Sequence, residues 1–184
     1  MSKDKLFIKK HLIHMHLKQN IVFFGRATAA LYAILKAIRT SGGTILLPSI
    51  ICPSVPIGAY IAGWNVVFCD IDIKTLNISL KSLKKIIGIN KNIDVICIPH
   101  IYHGCSDIEK ISKYVKKKGI HLIEDCAQSF GSVISNQTVG AFGDSTILSF
   151  GHSKQLNVGG GGALLTNDVN LKKETSKVLG KIPD

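Results

Sequence analysis

DVICIPHIYHGCSDIEKISKYVKKKGIHLIEDCA, residues 94–127, holds two continuous apolar runs, DVICIPH (94–100) and HLIEDCA (121–127). Runs that are continuous rather than alternating are expected of strands covered on both faces. Residues 107–118 between them read as a helix, so the stretch is a strand–helix–strand unit. The same rhythm extends in both directions. Further strand-like runs are IVFFG (21–25), TILLPS (44–49), NVVFCDI (65–71), STILSF (145–150) and GALLTN (162–167). Helices are predicted over residues 28–39, 54–62 and 79–87. The pattern predicts an α/β fold, a seven-stranded and mainly parallel sheet flanked by helices on both faces. Only the turn around NVGGGG separates the last two runs, too short for a parallel crossover, so the seventh strand is expected to run antiparallel.

Size and composition fit one such unit. The chain has 184 residues, 46% of them hydrophobic and 19% charged, a globular balance rather than a disordered one. No apolar run reaches the ~20 residues of a membrane helix. Residues 1–19 form a lead segment that mixes Lys and His with scattered apolar residues, unlike a secretory signal, so the expected compartment is the cytoplasm. Five cysteines (Cys52, Cys69, Cys97, Cys105, Cys126) without CxxC spacing argue against a disulfide framework or a zinc site. Most lie in or beside the strands and read as small buried hydrophobes. The formal charge of +11 admits nucleic acid or an anionic substrate as a partner. Much of the lysine falls in KSLKKI and KYVKKKG, on expected solvated helix faces, and no aromatic residues interleave with it as a base-stacking surface needs. Nucleic acid is therefore not expected.

In parallel sheets, sites gather outside the carboxyl ends of the strands. The polar residues expected there are Arg26, Thr28, Ser49, Asp70, Asp72, His100, Asp125, Gln128, Ser149 and Lys154. An acid ending a buried strand, such as Asp125, is costly unless something cationic or protonated meets it, or unless it caps the next segment. Lys154, taken alone, reads as a solvated loop lysine. Placed at neighbouring strand ends, the two acquire a joint use. An amine can bond an aldehyde, while a carboxylate can keep a pyridinium nitrogen protonated. Ser149, with the amides opening the helix near Thr28, could hold a phosphate. Thr28 could equally be a plain N-cap. Glycines 159–162 lack the GxxxxGK[ST] spacing of a phosphate loop and read as a flexible turn.

The ordered motifs GRATAALYAIL, LPSIICPSV, VVFCDID, PHIYHG, IEDCAQSFGS and GDSTILSFGHSKQLNVGGGGALLTND, over about residues 20–170, resemble the DegT/DnrJ/EryC1/StrS family. These are pyridoxal-phosphate-dependent aminotransferases acting mainly on nucleotide-linked keto-sugars. The resemblance implies the aspartate-aminotransferase-like large domain (fold type I) over residues 20–184. It implies pyridoxal 5'-phosphate as cofactor, glutamate or glutamine as amino donor, and a homodimer for a full-length protein. Lys154 would bond the cofactor aldehyde and shuttle the proton. Asp125 would pair with the ring nitrogen, Gln128 with the phenolic oxygen, and Ala127 would pack under the ring. Ser149 and the Ala27–Thr28 amides would hold the phosphate. One branch of the family has His at the lysine position and dehydrates its substrate; Lys154 implies transamination instead.

Departures from the family pattern are Cys52 where an aromatic usually stacks, Ala27 for Gly, Arg26 before it, and His103 for Gly. Family members are about twice as long. The resemblance therefore implies a missing small C-terminal domain and a truncated chain, weakly active or inactive alone. Two alternatives stand beside the enzyme reading. One is a remnant that binds cofactor or a partner without turnover. The other is a basic Rossmann-like nucleotide module, which the lack of GxGxxG after the first strand disfavours.

Overall fold

The computed structural model describes residues 3–101 and 107–181; His103 and Cys105 lie outside the described residues. Its main sheet has seven strands in the order β1-β9-β8-β5-β4-β2-β3. They are β1 (Asn20–Phe24), β2 (Thr44–Pro48), β3 (Asn65–Cys69), β4 (Val95–Pro99), β5 (His121–Asp125), β8 (Ser145–Ser149) and β9 (Gly162–Thr166). The strands β2, β3, β4, β5 and β8 pair in parallel, and β9 runs antiparallel to both β8 and β1. Each of the seven apolar runs became a strand, and the last is antiparallel as its short connection requires.

Period-two alternation divides the strand side chains between two faces. Val95, Cys97, Ile123 and Ile147 point into the core under α2 (Ala27–Ile38) and α3 (Ser54–Ile61). Leu46, Ile96, Ile98 and Leu122 point the other way, under α4 (Leu80–Ile89) and α5 (Ile108–Lys116). Lys81, Lys84, Lys85, Lys110 and Lys113 sit on the outer sides of α4 and α5 and are exposed, as their spacing implies. Cys69, Cys97 and Cys126 are buried among apolar side chains, whereas Cys52 is exposed.

Two helices and a small hairpin were not expected. A helix α1 (Lys3–Met15) buries Leu12 against Ile21, Leu148 and Leu165, so part of the lead segment packs on the sheet. Helix α6 (Val169–Leu179) follows β9, with Asp168 accepting from the amides of Asn170 and Leu171 as its N-cap. A small hairpin, β6 (Val133–Ile134) and β7 (Gln137–Thr138), turns through Ser135 and Asn136, both at positive φ. That is the backbone a two-residue hairpin turn demands.

Candidate functional site

A cavity of about 590 Å³ opens at the carboxyl ends of β4, β5 and β8, beside the start of α2. It is lined by Ala27, Thr28, Cys52, Asp125, Ala127, Gln128, Ser149 and Lys154. All eight residues singled out from the sequence therefore meet around one space. Of the other strand-end residues, Arg26 and His100 also line it, whereas Ser49, Asp70 and Asp72 do not.

The chain builds this space from the backbone outward. Pro99, Asp125 and Ile147 lie side by side in register across β4, β5 and β8, so Asp125 stands at the cavity floor. Its Oδ1 accepts from the Ala127 amide at 3.0 Å, which holds the carboxylate in a tight turn after β5. Arg26, not Thr28, is the N-cap of α2, and it supplies no side-chain cap. The amides of the first turn are thereby left to whatever ligand enters. Lys154 sits in the loop after β8, where Gln155 donates through Nε2 to the Gln128 carbonyl. That contact ties the loop bearing Lys154 to the turn bearing Asp125 and Gln128.

Gly162 lets β9 approach the start of α2. A Cβ there would meet Ala27 N at 2.5 Å and Ala27 Cα at 2.6 Å, atoms of the backbone that cannot swing aside. Gly162→Ala is expected to cost about 1–3 kcal/mol, as overpacking does. Because α2 would shift, anion affinity at its N-terminus should fall with stability. Thermal unfolding and phosphate binding, measured on the same variant, check both.

Burial pushes the Asp125 carboxyl up, and the Ala127 amide, the Lys154 ammonium and the His100 imidazole pull it back only in part. A carboxylate in that state gains from a cationic partner. The donor set fits pyridoxal phosphate: a carboxylate on the floor for a protonated ring nitrogen, an amine for an aldehyde, and uncapped amides with the Ser149 hydroxyl for a phosphate.

Beneath the floor lies a polar cluster that motif reading missed. Glu124 points to the opposite face from Asp125 and is fully buried, as is His100, whose Nε2–H donates to Glu124 Oε2 at 2.9 Å. Glu124 also accepts from the amides of Gly140 (2.8 Å), Phe142 (2.8 Å) and Gly143 (2.5 Å). Burial raises its carboxyl, but His100 and the Gly140 and Gly143 amides outweigh burial and leave it below the ordinary range. His16 donates to Val139 O at 2.8 Å, and the buried Lys18 donates to Gly143 O, so the chain after α1 clamps the same loop. Gly140 is at φ +93°, and a Cβ on it would meet His16 Nδ1 at 2.7 Å. The available signal was Glu124 itself, an acid next to the apolar Leu122 and Ile123 in a strand expected to be covered on both faces, which needs a partner.

The model of the DegT/DnrJ/EryC1/StrS aminotransferase family matches residues 7–180. GDP-perosamine synthase of Escherichia coli O157:H7 is 32% identical over 145 residues, covering 78% of this chain and 39% of that protein. The L-glutamine:2-deoxy-scyllo-inosose aminotransferase of Streptomyces fradiae is 31% identical over 149 residues, covering 79% of this chain and 34% of that protein. Among solved structures, NtdA from Bacillus subtilis with bound cofactor PMP superposes with a TM-score of 0.83 at 22% identity. That alignment covers 95% of this chain and 39% of NtdA. The chain thus spans between a third and two-fifths of the length of these relatives. Among the described residues, no helix is long and apolar enough to cross a membrane.

Proposed function

The chain belongs to the DegT/DnrJ/EryC1/StrS aminotransferase family, and from that premise we propose that residues 20–184 form the cofactor domain of a pyridoxal-5'-phosphate-dependent aminotransferase. Its substrate class would be a nucleotide-linked keto-sugar, with glutamate or glutamine as amino donor. The observation that carries this reading is the convergence of Asp125, Lys154, Ser149 and the uncapped α2 N-terminus on one cavity.

Pyridoxal phosphate supplies, when bound, an aldehyde and a ring that withdraws electrons from the reacting carbon. The chain's own residues do the rest. The Asp125 carboxylate would hold the proton on the ring nitrogen. Lys154 Nζ would tether the aldehyde and, when released, carry a proton as general base and acid. Ser149 and the amides of Ala27 and Thr28 would orient the phosphate, with Gln128 on the phenolic oxygen. Cys52 and Ala127 would bound the ring, the thiol covering less of it than an aromatic would. The same reading places the enzyme in the cytoplasm as a homodimer. The exposed Ile57, Tyr60 and Ile61 on α3, the helix beside the cavity, support a covered face there.

Mixing the chain with pyridoxal phosphate should produce a visible absorption band, and borohydride should fix the label on Lys154. Labelling spread over surface lysines, with no saturable band, would remove the assignment. A band that glutamate leaves unchanged would retain the cofactor site and withdraw the turnover.

Asp125→Asn separates stability from binding. Because burial raises the folded carboxyl above its unfolded value, the ligand-free protein loses stability as pH rises from the ordinary carboxylate range through the raised one. The amide keeps an acceptor for Ala127 and removes that loss. The ligand-free variant should therefore melt at or above wild type at neutral pH, with the difference vanishing in acid. Its affinity for pyridoxal phosphate should fall about 10- to 100-fold, as expected for losing a hydrogen bond to a charged group. Melting curves across pH and a cofactor titration check the two halves.

A further inference from the structure

We infer that Gln155 is a positioning residue, a latch that holds the loop of Lys154 against the turn of Asp125 and Gln128. This role rests on the reading of Lys154 and Asp125 as partners of one pyridoxal phosphate. Gln155 follows Lys154 in the chain, and its Nε2 donates to the Gln128 carbonyl, 27 residues away in sequence. Among the described residues, no other hydrogen bond joins residues 151–160 to residues 127–132.

Each side of that bond is held internally. In the turn, the Ala127 amide donates to Asp125 Oδ1 at 3.0 Å and the Ser129 amide to Cys126 O at 3.2 Å. In the loop, the Lys154 amide donates to Gly151 O at 3.0 Å and the Val158 amide to Phe150 O at 3.2 Å. Asn157 closes the same loop, donating to His152 O at 3.0 Å and accepting from the Gly159 amide at 2.9 Å. What these bonds leave open is the placement of loop relative to turn. Leu156 packs on the core beside them, but apolar contact is non-directional. The space around the loop is open, since a Cβ on Gly151, Gly159 or Gly160 would meet nothing within 4 Å. A directional bond from the residue next to Lys154 supplies the missing constraint.

The chemistry needs that constraint. A ring nitrogen at Asp125 is placed from β5, whereas Lys154 Nζ must reach the aldehyde from the loop after β8. A misplacement of about 1 Å between reacting groups can cost on the order of 10²-fold in rate. Lys154 must also return to the same carbon after each release. The latch does not use its side chain and so persists through that cycle. Both residues of the latch are exposed, so its loss leaves the core untouched.

The test compares the full wild-type chain with Gln155→Met, which keeps the length and loses the donor, and Gln155→Arg, whose guanidinium can donate to the same carbonyl. Two ligands separate binding from reach. Pyridoxine 5'-phosphate has the ring and the phosphate but an alcohol in place of the aldehyde. Pyridoxal phosphate can also bond Lys154 Nζ with loss of water, and borohydride then fixes that bond. At saturating pyridoxal phosphate, labelling of Lys154 should slow about 3- to 10-fold in Gln155→Met, the range for one lost hydrogen bond, and recover in Gln155→Arg. Pyridoxine phosphate affinity should stay within about twofold, since it loses no hydrogen bond of its own. In the ligand-free protein, amide exchange over residues 152–158 should quicken in Gln155→Met and not in Gln155→Arg. Labelling at the wild-type rate in Gln155→Met overturns the inference. So does an equal loss of pyridoxine phosphate affinity, or an arginine variant as slow as the methionine one. If the wild type takes no label on Lys154, the cofactor reading falls and amide exchange alone decides the latch. Faster exchange in Gln155→Met then keeps it as a constraint on the loop, and unchanged exchange overturns it.

Discussion

Lys154→Ala is expected to abolish the borohydride-stable addition of pyridoxal phosphate while leaving the fold intact. The side chain lies half-buried in the loop after β8, and the loop's own hydrogen bond, Lys154 N–H to Gly151 O at 3.0 Å, belongs to the backbone. Stability should therefore change by no more than about 0.5 kcal/mol. The chemistry has no such substitute. An alanine cannot tether an aldehyde, and loss of proton transfer alone should slow any glutamate half-reaction by about 10²- to 10⁴-fold. The phosphate site is built from other residues, so pyridoxal phosphate should still bind the variant reversibly and more weakly. Mass spectrometry after reduction reads the first effect, and equilibrium dialysis the second. Stoichiometric label on the variant would mean that another amine does the work.

The largest loss of stability is expected from Glu124→Ala. The change removes the acceptor of the His100 ring and of the Gly140, Phe142 and Gly143 amides at once, all in a buried site. Breaking a buried pair from one side costs about 3–5 kcal/mol. A domain whose whole stability is about 5–15 kcal/mol would lose much of it. A urea midpoint gives the number, and a loss below about 1 kcal/mol would show that the cluster is solvated or redundant. The pH dependence carries its own sign. The folded carboxyl of Glu124 lies below its ordinary value, so its contribution is present above the ordinary carboxylate range and is lost as pH falls through the lowered one. Wild type should soften in acid through that window, and Glu124→Gln should soften less.

These two residues also mark how far the sequence could be read. Asp125 was legible because it ends an apolar run, where an α/β sheet gathers its site, and Lys154 because it follows a neighbouring run and acquires a use beside Asp125. Glu124 was not, although it is adjacent to Asp125. Alternation says that it faces the other side of β5, and nothing local says what it meets there. The cap of α2 shows the same limit on a smaller scale. Thr28 was the natural capping side chain, yet the helix begins one residue sooner and Arg26 takes the cap without a side-chain hydrogen bond. A helix end is decided by a few weak interactions that compete within one turn.

The sequence by itself determined the rhythm of strands and helices, the burial of the sheet on both faces and the reversal of β9. Those follow from apolar runs of strand length and from a connection too short to cross over. It also supplied the eight cavity residues, because strand ends and a recognisable order of motifs are local properties. Only the tertiary structure decided the order of the strands and the docking of α1. It alone brought His16 and Lys18 to the loop behind Glu124, 123 and 125 residues away along the chain. Burial of a charge depends on which distant segment closes over it, and no local pattern records that choice.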